Sequence, residues 1–134
     1  MTYNAPNQYK QSAVFTATPE ELTLMLYDGA IKFMNIGKYH IENNNVVKSH
    51  EALIRAQDII IELNSSLDMK YEVSENLRGL YDFVLERLID ANIGKKVEPI
   101  DEALEIVTDM RDTWKEAMLK VKKQVYENRK GVVK

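Results

Sequence analysis

The side chains that most often carry chemistry are sparse in this sequence and are not arranged for it. The chain has two histidines and no cysteine, which excludes disulfides, thiolate metal sites and cysteine nucleophiles. Neither His40 nor His50 follows a glutamate by three residues, the spacing that a di-iron site in a helical bundle needs. Zinc-protease motifs and glycine-rich phosphate loops are also absent from the sequence. We therefore expect no catalytic residue, no metal and no cofactor, and we predict that the protein is not an enzyme.

Carboxylates are the most abundant reactive groups. One predicted helix carries a row of them: Asp101, Glu102, Glu105, Asp109, Asp112 and Glu116. A general acid–base pair could be drawn from this row. A run of this length on one face is, however, typical of a solvated helix surface.

The charge is uneven although the net charge of −3 is small. The segment from Lys115 to Lys134 is strongly basic, and cations near a helix C-terminus complement its dipole. We interpret this segment as a solvated helix end and expect no nucleic-acid partner.

No apolar run approaches 18 residues, so we expect no membrane insertion. The missing cysteines and the lack of a secretory signal fit a cytoplasmic protein.

Apolar periodicity predicts four helices and no strand, which indicates an all-α protein built as an antiparallel up-down four-helix bundle. The first predicted helix starts at Thr18, which forms a capping box with Glu21, and ends near Glu42. The second covers about residues 46–65, the third about 72–93 and the fourth about 98–127. Gly94 is predicted to stop the third helix in a left-handed conformation. The predicted organisation is an N-terminal cap segment (1–17), the bundle (18–127) and a basic flexible tail (128–134).

The first two helices carry more apolar residues than one core-facing stripe needs. We predict the core stripe of the first helix as Leu22, Met25, Leu26, Gly29, Phe33, Ile36 and Gly37, with an outer stripe of Leu24, Tyr27 and Ile31. In the second helix, Leu53, Ala56, Ile60, Leu63 and Leu67 form the predicted core row, and Val47, Ile54 and Ile61 form an outer row. The surplus fits a wide core, a groove for an amphipathic partner segment, or a subunit interface.

Three further features complete the pattern. Residues 1–17 lack periodicity but contain Tyr9, Val14 and Phe15, so they form either a disordered terminus or a cover for an apolar groove. Arg111 falls beside the apolar stripe of the fourth helix, where we expect a packed stem and a hydrated head. Leu26-Tyr27-Asp28 recurs as Leu80-Tyr81-Asp82, an inexact internal echo.

Several runs of the sequence resemble the flagellin-specific export chaperones of the FliS family. They are Tyr9-Lys10-Gln11-Ser12, residues 16–30 (TATPEELTLMLYDGA), residues 56–64, Leu80-Tyr81-Asp82-Phe83, Arg87-Leu88, Ala91-Asn92 and residues 111–117 (RDTWKEA). They follow one another in order over nearly the whole chain.

The resemblance implies a cytoplasmic helical bundle that binds the C-terminal segment of flagellin, which wraps around it. That binding would prevent premature polymerisation and keep flagellin competent for export by the flagellar secretion apparatus. The resemblance also implies an N-terminal segment that covers part of the binding surface and moves aside. The expected partners are thus flagellin and components of the export apparatus.

From the surplus apolar positions we predict the contact residues as Leu24, Tyr27, Ile31, Ile54, Ile61 and Trp114, with Tyr9, Val14 and Phe15 as the cover. Trp114 has a second interpretation as a core residue only. The alternative function is a structural helical-bundle protein whose extra apolar stripes form a homo-oligomer interface.

Overall fold

The computed structural model describes residues 16–132, which form four α-helices and, within that range, no strand. The helices are α1 (Pro19–Glu42), α2 (Val46–Ser65), α3 (Val73–Gly94) and α4 (Glu98–Val132). Each helix packs on its neighbours in the chain, and α4 closes the ring against α1. The predicted fold class is confirmed. Tyr9, Val14 and Phe15 lie outside the described residues.

The helix starts follow the local sequence signals. Thr18 Oγ1 accepts a hydrogen bond from the Glu21 N–H at 3.2 Å, and its hydroxyl donates to Glu21 Oε1 at 3.1 Å. Asn45 caps α2 in the same way by accepting from the Lys48 N–H at 3.1 Å. Each cap satisfies a backbone donor that would otherwise lack a partner in the first turn. These caps explain why the predicted limits of α1 and α2 agree closely with the structure.

Two predicted helix ends are wrong. Gly94 is the last residue of α3, and the left-handed residue is Lys95, with φ of 50°. The N–H of Lys96 bonds to the carbonyl of Ala91 at 3.1 Å, which closes the helix one residue later than predicted. Helix α4 continues to Val132, so the tail predicted from residue 128 is helical as far as the structure describes it. Arg129 and Lys130 in its last turn favour that extension.

The core contains most of the predicted row of α2, but the buried face of α1 is rotated from the predicted stripe and shares only Gly37 with it. The buried residues of α1 are Tyr27, Ala30, Met34 and Gly37, whereas the predicted core residues Leu22 and Met25 are exposed. Both faces of α1 are apolar, so their periodicity does not distinguish inside from outside. The predicted outer position of Tyr27 is therefore wrong. In α2, Leu53, Ala56, Ile60 and Leu63 are buried, as predicted.

Close packing of α1 on α2 depends on Gly37. A Cβ atom at this position would stand 2.9 Å from Cδ2 and 3.0 Å from Cγ of Leu53, which is fully buried. At Gly29 the nearest atom would be the terminal Cδ1 of the half-buried Ile59, at 3.3 Å. The two glycines of α1 therefore differ: at Gly37 a Cβ atom would require the buried side chain of Leu53 to shift.

We predict that Gly37→Ala lowers the free energy of unfolding, because overpacking typically costs about 1–3 kcal/mol. That cost exceeds the gain of about 1 kcal/mol from replacing glycine by alanine in a helix. Gly29→Ala is the matched control and should be neutral or stabilising, because the tip of Ile59 can turn away. Urea denaturation of both variants measures the difference. Equal changes in both variants would contradict the assignment of Gly37 as the point of close approach.

Candidate partner-binding surface

An open apolar groove lies at the end of the bundle where α1 begins and α2 ends. Its volume is about 730 Å³. We call it the end groove, and its apolar lining comes from all four helices and the turn after α2: Tyr27, Leu63, Leu67, Val73, Leu77, Leu80, Tyr81, Ile106, Met110, Trp114 and Ala117. Five polar residues complete the lining: Thr23, Ser66, Asp68, Asp109 and Thr113. This composition suits an apolar segment held at a small number of polar points.

A second cavity, the outer notch, lies between the first turn of α1 and α4. It has a volume of about 430 Å³ and is lined by Thr18, Glu20, Glu21, Trp114, Ala117, Met118, Val121 and Lys122. It exists because α4 continues well past the start of α1. Beyond Trp114 the apolar stripe of α4 has no partner helix in the described chain, and Val121 and Val125 are exposed.

Trp114 separates the two cavities and borders both. Its Nε1–H donates a hydrogen bond of 3.0 Å to the carbonyl oxygen of Glu20 in the first turn of α1. The half-buried indole thereby fixes the start of α1 against α4 while part of its ring lines each cavity. Both interpretations of Trp114, as a packing residue and as a surface for a partner, are compatible with this position.

A pair of tyrosines lies at the inner wall of the end groove. The hydroxyls of Tyr27 and Tyr81 are 2.6 Å apart, and the residues are only 4 % and 2 % exposed. Burial raises the pKa of both hydroxyls above the ordinary value near 10, because the charged phenolate would lose its hydration. Both groups therefore remain protonated donors throughout the physiological pH range.

The remaining predicted contact residues do not line the end groove. Ile54 and Ile61 are 37 % and 50 % exposed and form, with Val47, an apolar row on the outer surface of α2. Leu24 and Ile31 are half-buried and line neither cavity; Ile31 packs against the core. The structure thus brings Tyr27 and Trp114 together at the end groove and places Ile54 and Ile61 on a separate surface.

Sequence reasoning missed much of the groove. The apolar periodicity of the third and fourth helices predicts Leu77, Leu80 and Met110 as inward-facing residues and does not single out Ile106. The sequence feature that could have indicated the groove is the position of these residues near the end of the apolar face of their helix. At the end of a bundle no further side chains cover such residues.

The charged groups around the surface connect α1 to α4. Arg111 Nη1 lies 3.0 Å from Asp28 Oδ1, and its Nε lies 2.7 Å from Asp112 Oδ1. Hydrogen bonds to Asp112 and Asp28 raise the pKa of Arg111. The side chain is 30 % exposed, which confirms the predicted position at the edge of the stripe.

The described residues contain no cluster of histidine, aspartate or glutamate side chains suited to a metal ion. His50 Nδ1 instead lies 2.9 Å from the side-chain nitrogen of Asn92, within a contact between α2 and α3. Within residues 16–132 no helix is long and apolar enough to cross a membrane.

The tyrosine pair predicts how stability depends on pH. Above pH 10 the unfolded chain ionises these two hydroxyls while the folded protein keeps them neutral, so the unfolded state binds fewer protons. The free energy of unfolding should therefore fall with rising pH, by up to about 1.4 kcal/mol per pH unit for each tyrosine. Urea denaturation between pH 9 and 11 should show a steeper decline for the wild type than for Tyr27→Phe/Tyr81→Phe. Equal slopes would argue against the raised pKa values.

Comparison with known proteins places the chain in a family. Residues 2–121 match the sequence model of the family described as Flagellar protein FliS. The chain is 44% identical over 115 residues to the flagellar secretion chaperone FliS of Bacillus subtilis (strain 168), with 86% of each chain covered. It is 34% identical over 109 residues to the protein of that name from Salmonella typhimurium, covering 79% of this chain and 81% of the relative.

A crystal structure of a flagellar chaperone from bacteria has the same fold. Its TM-score is 0.71 at 22% identity, and the match covers 87% of this chain and 96% of that one. The relatives are named as chaperones, which agrees with the prediction that this protein is not an enzyme. From the family match and the sequence identity, the chain belongs to the FliS family of flagellar secretion chaperones.

Proposed function

We propose that this protein is a cytoplasmic export chaperone that binds the apolar C-terminal segment of flagellin. Binding prevents premature polymerisation, keeps flagellin competent for export, and delivers it to components of the flagellar secretion apparatus. The observation that carries the proposal is that this member of the FliS family leaves two apolar surfaces uncovered among its described residues. The end groove is open, and the outer row of α2 has no covering helix among the described residues.

The end groove suits an apolar protein segment rather than a small polar ligand. Its lining is mainly aliphatic and aromatic, and Leu80 remains exposed in the absence of a partner. Each Å² of apolar surface that a partner covers contributes about 25 cal/mol. A flagellin end that is itself apolar would gain by occupying the groove instead of associating with other flagellin molecules.

The outer row of α2 suits one face of an amphipathic helix. Ile54 and Ile61 are separated by two helical turns, a distance of roughly 10.5 Å. A partner helix presents anchors at the same interval through its i and i+7 positions. Because this row and the end groove lie on different surfaces, a single client that contacts both must wrap around the bundle.

We further propose that residues 1–17 cover part of the client surface and move aside when the client binds. The segment contains Tyr9, Val14 and Phe15, which supply apolar side chains for such a cover. Support comes from Thr18, the residue that directly follows this segment, because it borders the outer notch. A cover joined directly to α1 would reach that cavity without a linker.

We predict that Ile61→Glu weakens binding of a flagellin C-terminal peptide by about tenfold, or roughly 1.4 kcal/mol, because it places a carboxylate in an apolar contact. Half of this side chain is already exposed, so folding should be unaffected. Leu119→Glu is the matched control: Leu119 is an exposed apolar residue on α4 that lines neither cavity. Isothermal titration calorimetry measures both variants and the wild type.

No binding of the peptide to the wild-type chaperone at tens of micromolar would overturn the proposed function. Sedimentation over a concentration series tests the alternative. A stable dimer that buries Ile54 and Ile61 and is indifferent to flagellin would favour a structural oligomer.

We also predict that deleting residues 1–17, which keeps the cap at Thr18, increases the fluorescence of a hydrophobic dye and strengthens peptide binding. The reason is that the client no longer competes with a tethered cover. Dye fluorescence and calorimetry check the two effects. If both stay at the level of the full chain, residues 1–17 do not cover the surface.

A further inference from the structure

The internal echo of the sequence has a structural meaning. Leu26-Tyr27-Asp28 on α1 and Leu80-Tyr81-Asp82 on α3 place their tyrosines tip to tip at 2.6 Å. The aspartates turn to different neighbours: Asp28 pairs with Arg111 of α4, and Asp82 accepts a hydrogen bond from Asn64 of α2. The two segments thus face each other between α1 and α3, and their tyrosines meet there.

Within the described residues, the tyrosine pair has one more hydrogen-bond donor than it has acceptors. Two hydroxyls carry two O–H protons, and the contact between them uses one. Neither hydroxyl makes another hydrogen bond within the described part of the chain. Both residues are almost completely buried, and a buried donor without an acceptor is unfavourable.

The missing acceptor is not supplied by the other polar residues of the groove lining, which are Thr23, Ser66, Asp68, Asp109 and Thr113. The Thr23 hydroxyl donates to the carbonyl of Pro19, and the Ser66 hydroxyl donates to that of Leu63. Asp68 Oδ1 accepts from the Lys70 N–H. None of them makes a hydrogen bond to either tyrosine.

We propose that the occupant of the end groove supplies a backbone carbonyl that accepts the second hydroxyl proton of the Tyr27–Tyr81 pair. This inference rests on the proposed function in taking a client polypeptide as the occupant. A carbonyl in the middle of an α-helix already accepts from its own helix, whereas the last carbonyls of a helix lack partners. The pair therefore selects a client segment whose helix ends or is interrupted at this point, and it sets the register of that segment in an otherwise apolar groove.

A cycle of three variants tests the proposal through opposite patterns of stability and affinity. Tyr27→Phe and Tyr81→Phe each leave one buried hydroxyl without its partner, so each should lower the melting temperature. Tyr27→Phe/Tyr81→Phe removes both hydroxyls and should regain most of the loss in melting temperature.

The affinity for a flagellin C-terminal peptide should follow a different pattern. Each single variant keeps one donor and should bind the peptide within about threefold of the wild type, while the double variant should bind it about tenfold more weakly. A double variant that binds as tightly as the wild type would overturn the proposal.

A second probe separates this inference from the proposed function. Acetophenone has a carbonyl where α-methylstyrene of similar shape has a methylidene group. Titrations followed by the NMR signal of the Trp114 indole N–H give both dissociation constants. The dissociation constant of α-methylstyrene divided by that of acetophenone should be about tenfold larger in the wild type than in the double variant. An equal ratio in the two proteins would overturn the proposal. This holds even if the flagellin peptide fails to bind, an outcome that would count against the proposed function alone.

If the double variant does not fold, the wild type decides the question. The infrared carbonyl stretch of bound acetophenone should lie below its value in hexane, because a hydroxyl donates to it. A stretch equal to that in hexane would overturn the proposal.

Discussion

The contact between the hydroxyls of Tyr27 and Tyr81 joins two opposite helices across the interior of the bundle. These residues belong to α1 and α3, which are not neighbours in the ring of helices, and two phenol rings lie end to end between them. Towards the other end, Gly37 on α1 leaves room for the fully buried Leu53 of α2, and Ala91 on α3 and Ala103 on α4 are also buried. The tyrosines bridge the interior between two opposite helices, and both line the end groove.

The register between α1 and α4 determines which apolar residues remain uncovered. Three contacts are spread along the length that these helices share: Lys38 to Asp101 at 2.8 Å, Arg111 to Asp28 at 3.0 Å, and the Trp114 indole to the Glu20 carbonyl at 3.0 Å. The exposed ion pairs contribute little singly. A slide of one helical turn, about 5.4 Å, would break all three together. The groove and the outer notch are consequently part of a fixed frame before any partner arrives.

Much of this frame could be predicted from the sequence, because its signals are local. Caps at Thr18 and Asn45 specify helix starts through contacts within three residues, and the core row of α2 follows from the heptad spacing of Leu53, Ile60 and Leu67. The face of α1 could not be predicted, since residues such as Met25 and Tyr27 lie on faces of similar apolar character. Only the placement of α2 and α4 decides which one is buried. The tyrosine contact joins residues that are distant in sequence, so the echo of Leu-Tyr-Asp indicated a relation but not its geometry.

The two uncovered surfaces have a consequence for how a bound client can leave. On the proposed function, the client contacts both the end groove and the row containing Ile54 and Ile61, so its affinity arises from two linked contacts. Each contact alone is weak, and once one is held, the other rebinds at high effective concentration. A competitor that takes over one contact removes this advantage and leaves the client attached by the weaker remainder. Tight retention and release without an energy source are then compatible, provided that handover proceeds one surface at a time.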